Sequence, residues 1–405
     1  MPAEHTPHGT TDGHHEPENH EAEHLGQERP KPQHPKPQHH EPQHHEPERR
    51  GPEPCEPGPS DRGPHGSAPG EPEPHVVEGA DPQAQESVHR PSAKQPADGG
   101  APGGPDEGRR RHYGDFYGLT ELPDLPLLAV YGNCQAESLR VLLHGALEGR
   151  WHGVRMPPVH ELTREDLPHL HALLPRLGLF VTQPVASGYR GLPLGTEDVV
   201  PRLDSRADVV RVPAMRWSAF MPTLAIVRAP GVGDPPVVPY HDLRVLAAAA
   251  RGESSVHLET PTAAAAHAAR EESLDQLRIR QEAHRTLDVA SVLDAAGPNA
   301  VHVINHPCNG VLRTVASQIL DAAGLSAPVP DPGRVLLGGI RAPIHESTLA
   351  AFGYAASDLD GGPREDWLVQ GEHITEDAVA AEHLRWYAQN PSVVAAGLTR
   401  HARLI

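Results

Sequence analysis

The residues best equipped for chemistry lie in two short polar segments, each following an apolar run. Gly132-Asn133-Cys134-Gln135 follows Leu127–Tyr131, and Asn305-His306-Pro307-Cys308-Asn309 follows Ala300–Ile304. In the first, a buried-strand pattern breaks at a glycine and opens into Ala136–Leu143, whose apolar spacing reads as an amphipathic helix. A thiol at such a junction faces unpaired N–H groups and the positive end of a helix dipole, which favour a thiolate or hold an oxyanion beside it. A buried structural cysteine fits the same tetrapeptide. In the second segment, His306 beside the amides of Asn305 and Asn309 offers a general base and donors for a developing oxyanion. The competing reading is a polar turn with Asn309 capping the next helix. If the two strands are neighbours, Cys134 and His306 face one cleft as the nucleophile and base of acyl transfer. Cys308 has no oxyanion turn around it and reads as structural.

These segments need elements to hold them. After Leu127–Tyr131 the pattern gives a helix over Gln135–Glu148, a strand over Trp151–Met156 and a helix from an N-cap at Thr163 toward Leu177. Leu179–Thr182 is strand-like and ends at Gln183-Pro184; a short helix runs from Thr196 to Leu203, and Asp208–Pro213 is another β-branched run. Tyr240–Arg251 and the Ala-rich Thr262–Ala296 read as helices, with Asp242 a cap. Ala300–Ile304 is a last strand, Val311–Ala323 a helix and Glu376–Gln389 a terminal helix. Such alternation implies an α/β fold, a mainly parallel sheet flanked by helices, with ligands at the carboxyl ends of its strands. Both polar segments then lie at such ends. Between them, Tyr189, Arg190 and Thr196 stand in a Gly-rich loop, where Arg190 could clamp a phosphate bidentately and Thr196 add a hydroxyl. A surface loop with a helix cap is the plainer reading.

Composition separates two regions. Residues 1–112 hold about half of the 46 prolines and 30 histidines of the 405-residue chain and have no apolar period, so they are expected to be disordered. Lys31–Pro35, Lys36–His40 and Glu41–His45 repeat with period five and a proline in each unit, which favours extended polyproline-like backbone. Residues 113–405 are enough for one α/β domain. The net charge of −19 is shared almost evenly between the two regions, and an acidic body argues against nucleic acid as a partner. Three cysteines are too few for a disulfide framework, and neither a membrane span nor a signal peptide is evident. The chain is expected to be soluble and cytoplasmic.

Taken together, the residues resemble the WcbI family of capsular polysaccharide biosynthesis proteins. The matching features are Gly132-Asn133-Cys134-Gln135 after its strand, and Tyr189-Arg190 with Pro193-Leu194 and Thr196. They continue with Val209–Pro213, the Tyr240–Gly252 helix and Asn305-His306-Pro307 with Asn309, over roughly residues 125–325. The resemblance implies a fold like that of SGNH-type hydrolases, coenzyme A binding and acetyl transfer from acetyl-coenzyme A to a glycan hydroxyl. By the same analogy Cys134 and His306 are active-site residues, with Gly132, Asn133, Gln135, Asn305 and Asn309 around them. Arg190, with Tyr189 and Thr196, is the coenzyme A candidate on charge and position. The His/Pro-rich tail has no counterpart in the resemblance. Two other functions fit the sequence. One is an esterase or deacylase on the same scaffold with water as acceptor, which needs no coenzyme A. The other is a metal-binding or scaffold protein working through tail pairs such as His14-His15 and His39-His40, which suit Ni²⁺, Cu²⁺ or Zn²⁺. No spacing typical of a structural zinc site is present.

Overall fold

The computed structural model describes residues 105–402, all within the unit Pro74–Ile405. The tail repeats and histidine pairs lie outside the described residues. In chain order the elements that matter are α1 (Pro105–His112), β1 (Leu127–Tyr131), α2 (Cys134–Ala146), β2 (His152–Gly153), α3 (Leu167–Leu173), β3 (Leu177–Thr182) and β4 (Asp208–Arg211). They are followed by α4 (Leu243–Ala250), α5 (Ala263–His284), α6 (Ala290–Ala295), β5 (Val301–Val303), β6 (His306–Pro307) and α7 (Asn309–Ala322). The chain continues with β7 (Ile340–Arg341), β8 (Trp367–Val369), β9 (Glu372–Ile374), α8 (Glu376–Gln389) and α9 (Pro391–His401).

A four-stranded sheet in the order β2-β1-β3-β4 is parallel throughout. All five residues of β1 are buried, because alternate side chains enter two different cores. Leu128 and Val130 join Leu139, Leu142 and Leu143 of α2 and Leu312, Val315 and Ile319 of α7. Leu127, Ala129 and Tyr131 join Phe180 and the α3 residues Leu170 and Leu173 on the opposite face. The sheet is therefore covered by helices on both sides, as the alternation of patterns implies. The strand expected over Trp151–Met156 shrinks to His152–Gly153, although Val154 still donates to the Leu128 carbonyl (2.8 Å). Pro157 and Pro158 have no N–H with which to extend the ladder.

Three expectations are corrected. First, Val301–Val303 does not enter the parallel sheet: it folds back to pair antiparallel with His306–Pro307. The Asn305 loop is thus the bend of a small hairpin, not the end of a parallel strand. Second, Glu376–Gln389 is followed by α9, and an antiparallel sheet β9-β8-β7 occupies a stretch for which the pattern gave no strands. Third, residues 105–112, which belong to the stretch expected to be disordered, are helical. Arg109 of α1 donates to both carboxylate oxygens of Asp166 (3.1 and 3.0 Å), and the Tyr117 hydroxyl donates to the same group (2.7 Å). Burial alone would raise the Asp166 pKa, but these bonds and the Thr163 backbone hold it down to about 2.

Four imidazoles are sealed into this fold in neutral form. Burial, the first cause in every case, takes His160 and His306 down to about 4 and His241 and His302 down to about 3. Their folded values lie below the unfolded reference of about 6.5, so the unfolded chain binds more protons as pH falls. Stability is fully present above about pH 6.5 and is lost progressively toward pH 4 to 3. At pH 5 each such histidine costs roughly 2 kcal/mol on this scale. Thermal melts should therefore fall steeply between pH 7 and pH 5; a flat melting temperature across that range would contradict the buried neutral imidazoles.

Candidate active site

The turn after β1 is held by the Gln183 side chain and by backbone groups from other parts of the chain. Asn133 is the N-cap of α2: its Oδ1 accepts from the Gln135 N–H (2.9 Å). The Asn133 N–H in turn donates to Gln183 Oε1 (2.8 Å), from the residue just past β3. Gly132 is required for this approach, because a Cβ there would lie 2.3 Å from the same Gln183 oxygen. Its carbonyl accepts from Val159 (2.9 Å).

Gln135 is fully buried and uses its whole side chain. Nε2 donates to the carbonyls of Met215 and Asn305 (both 2.8 Å), while Oε1 accepts from the Met215 N–H and from Gln183 Nε2 (both 3.0 Å). The two polar segments, 170 residues apart, are thereby joined one residue away from Cys134. Asn305 is fixed at its other end by the Tyr240 hydroxyl, which donates to Oδ1 (2.8 Å).

Cys134 is the first residue of α2 and is half-buried. The N–H groups around it are largely committed: Asn133 to Gln183, Gln135 to Asn133 Oδ1 and Ala136 to the Asn133 carbonyl (3.0 Å). The turn that reads as an oxyanion hole in sequence thus spends most of its donors on its own shape. His306 is 6 % exposed, and neither ring nitrogen has a hydrogen-bond partner. It packs edge-on to the Tyr240 ring (6.3 Å between centroids) and makes no hydrogen bond to the Cys134 thiol in this state. The Leu337 backbone slightly opposes the downward pull of burial on its pKa.

The remaining candidates are placed differently. The Asn309 side chain donates to the Arg334 carbonyl (2.8 Å) and accepts from the Leu336 N–H (2.9 Å), so it pins the segment that passes His306. The Cys308 Sγ lies 3.4 Å from His302 Nδ1, and burial pushes this thiol up to about 12, which disfavours its thiolate at neutral pH. The Thr196 hydroxyl is buried, accepting from the Val185 N–H (2.9 Å) and donating to the Gln183 carbonyl (3.2 Å), which leaves it holding the loop. Arg190 is exposed, with φ 54°, and donates to the carbonyl of His160, next to the residue that bonds Gly132. Arg190 and Arg228 lie within electrostatic range of both His160 and the buried Tyr189. Both guanidiniums thus stand near His160, the neighbour of Val159, whose N–H donates to the Gly132 carbonyl. Nothing in the sequence signals Gln183, His160, Arg228 or Met215 beyond the end of a strand at Gln183-Pro184.

The fold and site define an α/β protein with a thiol at the first strand-to-helix turn and a histidine hairpin tied to it. The family described as "Polysaccharide biosynthesis enzyme WcbI" matches residues 127–328, and the chain belongs to that family. A solved structure of WcbI, described as a novel polysaccharide biosynthesis enzyme, is the native protein without a disulfide bond between coenzyme A and one of its cysteines. It is 20% identical with a TM-score of 0.57, covering 69% of this chain and 96% of its own, a likeness that establishes the fold. No curated protein matches the chain.

Replacing Gln135 by Leu keeps the volume but leaves two carbonyls, one N–H and the Gln183 amide without partners. Each unmet buried group costs about 1–3 kcal/mol, so urea unfolding should show a loss of at least roughly 3 kcal/mol. A change below roughly 1 kcal/mol would mean that Gln135 does not hold the site together.

Proposed function

We propose that this chain is a coenzyme-A-dependent acyltransferase that moves an acyl group, acetyl in the first instance, to a hydroxyl of a polysaccharide or related sugar. The bond from Gln135 to Asn305 carries the reading, because it brings the Cys134 turn and the His306 hairpin to one place. The description of the WcbI structure names coenzyme A together with a cysteine. Of the two cysteines among the described residues, Cys134 is the first residue of α2, in the turn tied to Asn305 through Gln135, whereas Cys308, the N-cap of α7, has its thiol pushed up by burial.

The residues present fit an anionic thioester donor. His160 is buried with an unpartnered Nδ1, and Arg190 offers a guanidinium on the same side of the turn. These two, with Arg228, would hold the phosphates. The bound thioester would supply an activated acyl carbon and a thiolate leaving group. His306, neutral at pH 7, takes the proton from the acceptor hydroxyl, or from Cys134 where transfer is covalent, and returns it to the leaving sulfur. Because its ring nitrogens are covered, the side formed by Leu336 and Leu337 must yield for this step. Asn309 controls that side by its two bonds, and Thr196 and Gln183 position the turn. An SGNH-like layout, with the nucleophile turn on the first strand and the histidine late in the chain, belongs to the same proposal, as does a cytoplasmic site of action. No described helix is long and apolar enough to cross a membrane.

Calorimetry should show coenzyme A binding to the full chain. Cys134→Ala and His306→Ala should each lower acetyl transfer by about a hundredfold or more with little change in the melt, and the double variant should be little worse than either. With covalent transfer, Cys134→Ser fails and intact-mass spectrometry traps a thioester on the wild type; with direct transfer, serine retains activity and no thioester forms. Full activity in both alanine variants, or no binding of coenzyme A, would reject the proposal.

A further inference from the structure

A second cleft adjoins the candidate active site along the segment Met215–Phe220. Met215 is bonded to Gln135, and the Trp217 N–H donates to the Ile304 carbonyl (2.7 Å), the residue before Asn305. The cleft has a volume of about 250 Å³. Its aromatic wall is Phe220, Phe352 and Tyr354, with ring centroids 5.2 Å apart for Phe220–Phe352 and 6.0 Å for Phe220–Tyr354. Tyr354 is 36% exposed and rests over Gly297, where a Cβ would stand 2.7 Å from its hydroxyl. Its polar wall is an ion pair: Arg270 donates to both oxygens of Asp294 (2.7 and 2.6 Å). Trp217 also lines the cleft; it is 1% exposed, and its Nε1 donor has no partner.

This combination selects among ligands. An apolar ligand would bury the ion pair against hydrocarbon, which is unfavourable. A phosphate would have to compete for Arg270, which already serves Asp294 and Glu271. A pyranose ring suits both walls: its C–H face lies on the aromatic rings, and its hydroxyls donate to the spare lone pairs of Asp294. We propose that this cleft binds one ring of a neutral glycan, anchoring the acceptor beside the His306 hairpin. The inference rests on the acyltransferase reading for the word acceptor, but binding of the sugar stands apart from it. Phe352 and Tyr354 lie beyond the residues 127–328 that match the family, so the subsite is built partly by the C-terminal region.

The test uses the full chain with methyl β-D-glucopyranoside, methyl β-D-galactopyranoside and diacetylchitobiose as probes, read by saturation-transfer NMR and calorimetry. At least one probe should bind, with saturation concentrated on the C–H protons of one ring face. Tyr354→Leu, which keeps apolar volume without an aromatic face, and Tyr354→Ala should each weaken it roughly tenfold; Tyr354→Phe should bind within about twofold of wild type, since the ring face is kept. Circular dichroism melts verify folding, and Asp294→Asn, which keeps the shape, should also weaken binding. No binding of any probe, or unchanged binding in Tyr354→Leu and Asp294→Asn, overturns the subsite. Coenzyme A calorimetry on the same samples scores the acyltransferase reading separately: wild type that binds sugar but not coenzyme A refutes that reading and keeps the sugar site.

Discussion

One buried amide organises the site. The Gln135 side chain satisfies all of its principal hydrogen-bonding capacity against three segments: the end of β3 through Gln183, the Met215 backbone and the Asn305 carbonyl. An unmet donor or acceptor in the interior costs more than a met one contributes, so the three segments are constrained together. Gln135 follows Cys134 directly, and the position of the thiol is therefore set by those partners and not by the helix alone. Gln183 repeats the logic from the other side, and the missing side chain of Gly132 is the space in which its amide sits.

Around that centre the chain divides its labour. The parallel sheet supplies a rigid platform buried on both faces, and the hairpin with α7 supplies the histidine. The segment past α7 covers the imidazole. Asn309 links the last two, since its amide bonds both Arg334 and Leu336. In this state the histidine is buried and held neutral beneath the Leu337 backbone. The same burial that keeps it neutral makes the fold sensitive to acid.

Much of this was legible in the sequence, and the parts that were not share a cause. The strand Leu127–Tyr131 and the helix after it read directly, because a five-residue apolar run broken by glycine leaves little choice. The role of Asn133 did not: an Asn before a helix is equally a cap and an oxyanion donor, and only its bond to the Gln135 N–H decides which function its oxygen serves. The pattern of strand, polar loop and helix at Asn305–Asn309 is the same whether the strand joins a sheet or folds back on itself. Pairing is a long-range property. Strands of two or three residues, such as Ile340–Arg341 and Trp367–Val369, are too short to show a period. Gln183 was invisible because its importance comes from a glycine 51 residues earlier. The helix at Pro105–His112 was hidden by the composition of the segment before it, and what orders it is Asp166, far along the chain.

The central claim is that the Cys134 turn and the His306 hairpin form a single site for a coenzyme A thioester. A crystal structure of the chain with coenzyme A tests it most directly. The account predicts the thiol end of the ligand against Cys134, its phosphates on the side of Arg190 and His160, and the Leu336–Leu337 segment displaced so that a His306 nitrogen faces the same cavity. Coenzyme A bound elsewhere, or Cys134 and His306 opening onto separate cavities in the complex, would contradict it.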